Sequence, residues 1–241
     1  MTAPTVTVAG RDGPLPARAW RVLLVCGIAS SLLYATMNVI GAMQYEGYSS
    51  LSQSVSELSA IGAPSRPLWV TLCLVYNVLV IAFGLGVWSA ARPHRSLRVV
   101  GGLLVAHGLI GFVWPPMHQR GAGFTLTDTM HIVVTIVTVF IMLLTIAFGA
   151  AAFGKRFRIY SIATILAHVV FGILIGMDGP RIAANLPTPW AGLTERINIG
   201  VYMLWVVIFA LALLRAQEAI TKREAPATRR VARALGYWLL G

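Results

Sequence analysis

Apolar residues in this chain run in six long blocks: Arg21–Gly41, Leu68–Ala90, Leu97–Trp114, Thr127–Ala150, Ile159–Met177 and Ile197–Leu214. A helix needs about 20 mostly apolar residues to cross a hydrocarbon core roughly 30 Å thick. The blocks therefore predict six membrane-spanning helices. Helices satisfy their own backbone hydrogen bonds in lipid, and the period-2 alternation of a membrane barrel is absent. Arg18 and Arg21 before the first block give it the charge of a signal peptide. Its apolar run exceeds the roughly 7–15 residues of a secretory core, so it is predicted to be a retained helix. The fold class expected is all-α, a polytopic bundle of six transmembrane helices.

The polar stretches divide the chain further. Residues 1–18 lack periodicity and are predicted to be a disordered cytoplasmic tail. Residues 19–217 form the transmembrane domain, and 218–241 a basic C-terminal segment. In that segment Val231, Leu235, Trp238 and Leu239 share one helical face, with Arg229, Arg230 and Arg233 off it. This describes either a helix resting on the inner leaflet or a frayed solvated tail. Ala42–Pro67 is too long for a simple hairpin. Leu51, Val55 and Leu58 fall at i, i+4 and i+7, Ser49 or Ser50 could cap the stretch, Ser54-x-x-Glu57 also fits a capping box, and Gly62 follows as a stop. A short amphipathic helix lidding the bundle is expected there. Pro115-Pro116 should end the third span, and Gly172 with Gly176 forms a GxxxG that permits close helix approach.

Composition agrees with the blocks. The chain has 241 residues, 57% hydrophobic and 11% charged, with mean hydropathy +0.77. Soluble domains carry about 25% charged residues, so a water-facing globule is excluded, and disorder with it. The two cysteines, Cys26 and Cys73, lie inside apolar runs and read as small buried hydrophobes. The net charge of +11 would suit nucleic acid, but its placement says otherwise. Fifteen of the nineteen basic residues fall before span 1, between spans 2 and 3, between spans 4 and 5, or after span 6. These segments share one side, which the positive-inside rule makes the cytoplasm, with both termini there. Trp69, Trp114 and Trp190 at outer ends and Trp20 and Trp88 at inner ends suit an aromatic belt.

The opposite face gathers the chemistry. Five of the eight acidic residues, Glu46, Glu57, Asp128, Asp178 and Glu195, lie there with Arg66, Arg120, Arg181 and Arg196. Charge at membrane depth tends to be retained where it pairs or functions. The candidate ligand-binding residues are Ser56, Glu57, His118, Arg120, Asp128, His131, Glu195 and Arg196. Glu57 could cap a helix, pair with Arg66, or act catalytically. Asp128 and His131 share a helix face that Thr135 and Thr138 continue. With His118 they could ligate zinc; alternatively Thr125 is an N-cap, Asp128 its N3 partner, and His131 a hydrogen-bonding core histidine. Arg196 is a candidate to clamp Asp128, Glu57 or a phosphate head group. His107 and His168 both lie near mid-membrane and could meet, as a hydrogen-bonded pair or a proton relay, with Asn77 joining them.

Gly47-Tyr48-Ser49, then Ser56-Glu57-Leu58-Ser59-Ala60-Ile61-Gly62-Ala63-Pro64, resembles the signature of a bacterial six-helix membrane family catalogued as domain of unknown function nine-nine-eight. The resemblance continues through Pro115-Pro116-Met117-His118, Thr127-Asp128, His131, Gly192-Leu193, Glu195-Arg196 and Leu204-Trp205, covering roughly residues 20–215. It implies six helices and an outer polar cluster, and no activity. A more distant likeness is to the ceramidase and adipoQ-receptor superfamily of membrane zinc hydrolases, in which Ser54 or Ser56, Asp128, His118 and His131 would play the polar parts. The final helix here has no His-x-x-x-His pair.

Three functions follow. The chain is expected to bind a lipid, a small apolar ligand or a membrane protein partner through its outer cluster, in the bacterial cytoplasmic membrane. The first alternative is a metal-dependent hydrolase acting on a lipid ester or amide. The second is a transporter with His107 and His168 lining its path.

Overall fold

The computed structural model describes residues 16–90 and 94–239, with side chains as far as residue 219. Most of the predicted N-terminal tail, Arg92, and the apolar and basic side chains of 229–239 lie outside the described residues. Six helices succeed one another: α1 (Ala17–Met43), α2 (Arg66–Ala90), α3 (Arg95–Gly111), α4 (Leu126–Ala150), α5 (Lys155–Ala183) and α6 (Ala191–Leu239). Each packs on its neighbours in the chain, and α6 closes the ring against α1.

Five helices, α1, α2, α4, α5 and the Ala191–Ala219 part of α6, are long and apolar enough to cross a membrane. They also need one. Ile136, Phe140, Leu166, Val170 and Ile173 are all more than half exposed, and an apolar patch of that extent belongs against lipid rather than water. The predicted third span is shorter than expected. α3 has 17 residues, about 25 Å at 1.5 Å per residue, and stops before Trp114. Trp114 precedes Pro115, a position pushed away from helical angles. The Phe112 and Val113 N–H groups turn back to the carbonyls of Leu109 and Ile110, at 3.2 and 3.1 Å.

The tightest helix crossing joins α2 to α3. A Cβ on Gly101 would stand 2.7 Å from the Trp88 nitrogen and 2.8 Å from the Gly84 carbonyl, so only glycine lets these backbones touch. The predicted GxxxG of α5 makes no such approach. A Cβ on Gly172 would meet only Asn198, at 3.4 Å, and one on Gly176 would meet nothing.

Two tryptophans expected in the belt are instead buried core, Trp20 and Trp69, each 5% exposed. Trp20 donates its indole N–H to the Gly86 carbonyl at 2.7 Å and pins α1 to α2. Trp69 packs with Met37, Val55 and Leu58 beneath the α1–α2 connection. Trp88 and Trp190 are exposed as a belt requires. The main core centres on Trp205 and Phe209, one turn apart on α6 and stacked at 4.8 Å, with Phe83, Leu97, Leu104 and Ile146 around them. Trp205 also donates to the Ser161 hydroxyl at 2.9 Å, joining α6 to α5.

Candidate functional site

The connections α1–α2, α3–α4 and α5–α6 meet at one end of the bundle, and hydrogen bonds between them show it. Arg120 reaches Glu57 in one connection and Thr188 in another, while Thr188 donates to the Ser52 carbonyl at 3.1 Å. Arg95, Arg98, Lys155, Arg156 and Arg158 mark the opposite end. There an exposed ion pair, Arg21 to Glu218 at 2.5 Å, ties α1 to α6.

The expected amphipathic helix of the first connection is a single 3-10 turn, Val55–Ser59. Leu51 lies outside it and is exposed, so the apolar stripe is shared between the turn and a preceding loop. Its capping box is present as read: Ser54 caps, and Glu57 reaches back to the Ser54 N–H at 2.6 Å. Gly62 follows at φ +87°, a conformation that favours glycine.

Glu57 is 3% exposed, and a buried carboxylate needs a partner. That partner is Arg120, 63 residues away: Nε donates to Oε1 at 2.6 Å and Nη2 to Oε2 at 3.0 Å. The fork also donates to the Thr188 hydroxyl at 2.7 Å and the Ser52 carbonyl at 3.2 Å. The anticipated partner, Arg66, instead donates to the Ser59 carbonyl.

A second capping box repeats the arrangement at the start of α4. Asp128 accepts the Thr125 N–H at 2.8 Å and hydroxyl at 2.7 Å. It also accepts the His118 N–H at 2.7 Å, and the His118 ring nitrogen Nδ1 lies 3.0 Å from it. The loop between α3 and α4 is thus held at two residues, His118 and Arg120, by two buried carboxylates. A backbone bond from Ile61 N–H to Met117 C=O, at 2.8 Å, fastens it a third time.

Glu195 and Arg196, in the second turn of α6, both act on the first connection. Glu195 accepts the Val55 N–H at 2.6 Å. Arg196 clamps neither carboxylate. It donates to the carbonyls of Ser50 and Gln53 at 2.9 and 3.2 Å and to the Tyr48 hydroxyl at 2.7 Å. Burial pushes the Tyr48 phenol up to about 12, with Arg196 opposing. It stays neutral and donates to the Ser54 carbonyl at 2.7 Å.

His131 completes the cluster. Its Nδ1 lies 2.7 Å from the Pro115 carbonyl, which can only accept, and 3.2 Å from the Trp114 indole N–H, which can only donate; the shorter contact assigns the proton to Nδ1. Trp114 approaches the same ring edge-on. The other nitrogen, Nε2, is then an acceptor in the neutral ring and stands 3.2 Å from the Ser56 hydroxyl.

Zinc ligands must turn their lone pairs on one point. The oxygens of Asp128 are taken by His118 and Thr125, and both nitrogens of His131 by Pro115 and Ser56. The set His118, Asp128 and His131 does not fit the metal in this arrangement. Among the described residues no three His, Cys, Asp or Glu side chains form a group able to hold one.

Deeper in the bundle His107 and His168 do not touch. Tyr202 stands between them, its ring 6.0 Å from His107 and 6.1 Å from His168. His168 Nδ1 donates to the Asn198 carbonyl at 3.1 Å, and the Asn198 amide donates back at 2.6 Å. Among the described residues, the buried atoms left here without a hydrogen-bond partner include His107 Nδ1, His168 Nε2, Tyr202 Oη and Asn77 Nδ2.

Sequence reasoning did not assign Tyr48, Pro115 or Thr188 to the cluster. Tyr48 and Pro115 lie in the motifs that carry the family resemblance. The roles of the Pro115 carbonyl and the Thr188 hydroxyl leave no signal in residue type.

An all-helical bundle with lipid-facing flanks and a polar network across one end defines a multi-pass membrane protein. The chain belongs to a family of proteins of unknown function, DUF998, whose model matches residues 28–212. No curated protein and no solved structure matches it.

Proposed function

We propose that the chain crosses the bacterial cytoplasmic membrane six times, α3 included, with both termini inside and the loop end outside. The asymmetry of basic residues supports this orientation. At 17 residues α3 is at the lower limit for a span, and its burial against α2 and α4 allows the shorter length.

The outer end binds a lipid-like amphiphile. The observation that carries this reading is the setting of His118. Asp128 holds Nδ1, leaving the rest of the ring, whose side chain is 27% exposed, to meet a polar head. Apolar side chains border it. Ile61 pairs with His118 through the backbone, and Phe124 and Leu126 flank Thr125, whose hydroxyl is 3.4 Å from the ring; all three are exposed. A polar tip rimmed by apolar surface at the membrane boundary suits a molecule with a head and a tail.

The experiment is native mass spectrometry of the full chain released from membranes, followed by titration with lipids of differing head groups. Retention of one lipid class, weakened about tenfold in His118→Ala, is the expected result. Equal, weak retention of every class by both proteins would overturn it.

A further inference from the structure

We propose that Ser56 is an acyl-accepting nucleophile with His131 as its general base, acting on a carboxylic ester of the amphiphile bound beside it. The inference rests on the amphiphile reading above and adds chemistry to it. A serine hydroxyl is a weak nucleophile until an adjacent base takes its proton, and that base needs a third group to fix its tautomer. All three parts are in place. Ser56 Oγ is 3.2 Å from His131 Nε2, at the long end of hydrogen-bond reach for a candidate base. The Pro115 carbonyl, at 2.7 Å from Nδ1, outcompetes the Trp114 indole N–H, at 3.2 Å, for that nitrogen, which keeps the proton there and the Nε2 lone pair facing serine.

The surroundings fix the geometry of both partners. His131 lies in the second turn of α4, whose start is locked by the Thr125–Asp128 box. Ser56 sits in the 3-10 turn, held from within by Ser54–Glu57 and from outside by Glu195 on the Val55 N–H. Glu195 is a positioning residue. Buried His131 sits behind a partly exposed Ser56, the order a substrate arriving from the membrane boundary requires.

The balanced reaction has two halves. Ser56 Oγ bonds to the ester carbonyl carbon while His131 Nε2 takes the hydroxyl proton. Collapse of the tetrahedral adduct breaks the carbon–alkoxy bond, and the departing alkoxide leaves as an alcohol with the proton from Nε2. Water then attacks the acyl-serine and gives a proton to Nε2. The second collapse frees the acid and returns the proton to Ser56. A second alcohol in place of water would make the reaction a transfer. No electrons are gained or lost.

The test uses the full chain in nanodiscs with a fluorophosphonate probe, read by peptide mass spectrometry. Labelling at Ser56 is expected, absent in Ser56→Ala and slowed on the order of 10²–10⁴-fold in His131→Gln. As a control for a folding defect, Ser56→Cys should react with iodoacetamide faster than Ser56→Cys/His131→Gln, in proteins that melt alike. No Ser56 adduct in folded protein, or an adduct formed at the same rate without His131, would overturn the proposal. The arms separate the two readings. Lipid retention without His131-dependent labelling leaves binding standing and ends the chemistry; labelling without selective retention does the reverse.

Discussion

The loop end and the middle of the bundle both bury polar side chains, yet they treat them oppositely. At the loop end every buried charge is answered: Glu57 by Arg120 and Ser54, Asp128 by His118 and Thr125. In the middle, His107, His168, Tyr202 and Asn77 each keep an unpartnered atom, although all are less than 10% exposed. A buried hydrogen bond adds only about 0.5–1.5 kcal/mol net, whereas an orphaned group costs about 1–3. The loop end is therefore a rigid platform whose removal of parts should be expensive. The middle should tolerate change at its unpartnered atoms, which contribute little that an apolar group would not, but not at the His168–Asn198 pair, whose two bonds are buried.

The largest effect is expected from breaking the Glu57–Arg120 pair. Arg120→Met strands a carboxylate that is 4% exposed, and loss of one partner from a buried pair costs about 3–5 kcal/mol. Thermal unfolding in detergent should fall sharply in Arg120→Met and recover in part in Glu57→Leu/Arg120→Met. If the single variant melts like the wild type, the platform is not held by this pair. Thr125→Ala removes the second box's cap and should cost about 1 kcal/mol, measured the same way. A cost as large as that of Arg120→Met would mean the α4 start, not the ion pair, holds the platform.

What could be read in advance follows the range of the interaction. Both capping boxes were legible because Ser54 with Glu57 and Thr125 with Asp128 are three residues apart, a spacing the helix itself dictates. The apolar blocks were legible because lipid sets their length. Partner choice across loops was not. Glu57 has a basic neighbour in sequence, Arg66, and the pairing to Arg120 depends on where α3 ends, which Pro115 sets. Trp20 and Trp69 were misplaced because an indole at the end of a block suits a membrane interface and a core equally. Only the Gly86 carbonyl and the Met37–Leu58 pocket decide for the core.

A smaller effect should come with pH. The Tyr48 phenol is pushed up to about 12 by burial, against an ordinary value near 10. Its folded-state proton is held more tightly than the unfolded one. The stability it contributes is therefore complete below pH 10 and declines as pH rises toward 12. Tyr48→Phe should lessen the fall in melting temperature between pH 10 and 12 while lowering the temperature at neutral pH, because the Arg196 and Ser54 bonds are lost. Equal slopes would show that the loop around Tyr48 opens before the phenol ionises.

The smallest effect is expected at Tyr202, and it decides whether the comparison holds. Its hydroxyl is buried without a partner between two imidazoles. Tyr202→Phe removes an unsatisfied oxygen and keeps the ring against His107 and His168. Replacing an orphaned polar group by an apolar one of the same shape is close to neutral or slightly stabilising, so the melting temperature should stay level or rise a little. A clear loss would mean that the hydroxyl has a partner in the membrane, and a water is the natural one. A small void bordered by Tyr202, Tyr76, Ser30 and Ser31 already adjoins it, and a buried water needs two to four polar contacts to stay. In that event the middle of the bundle would be a hydrated polar site like the loop end. The two imidazoles flanking Tyr202 would then become part of a path for protons rather than tolerated polar core.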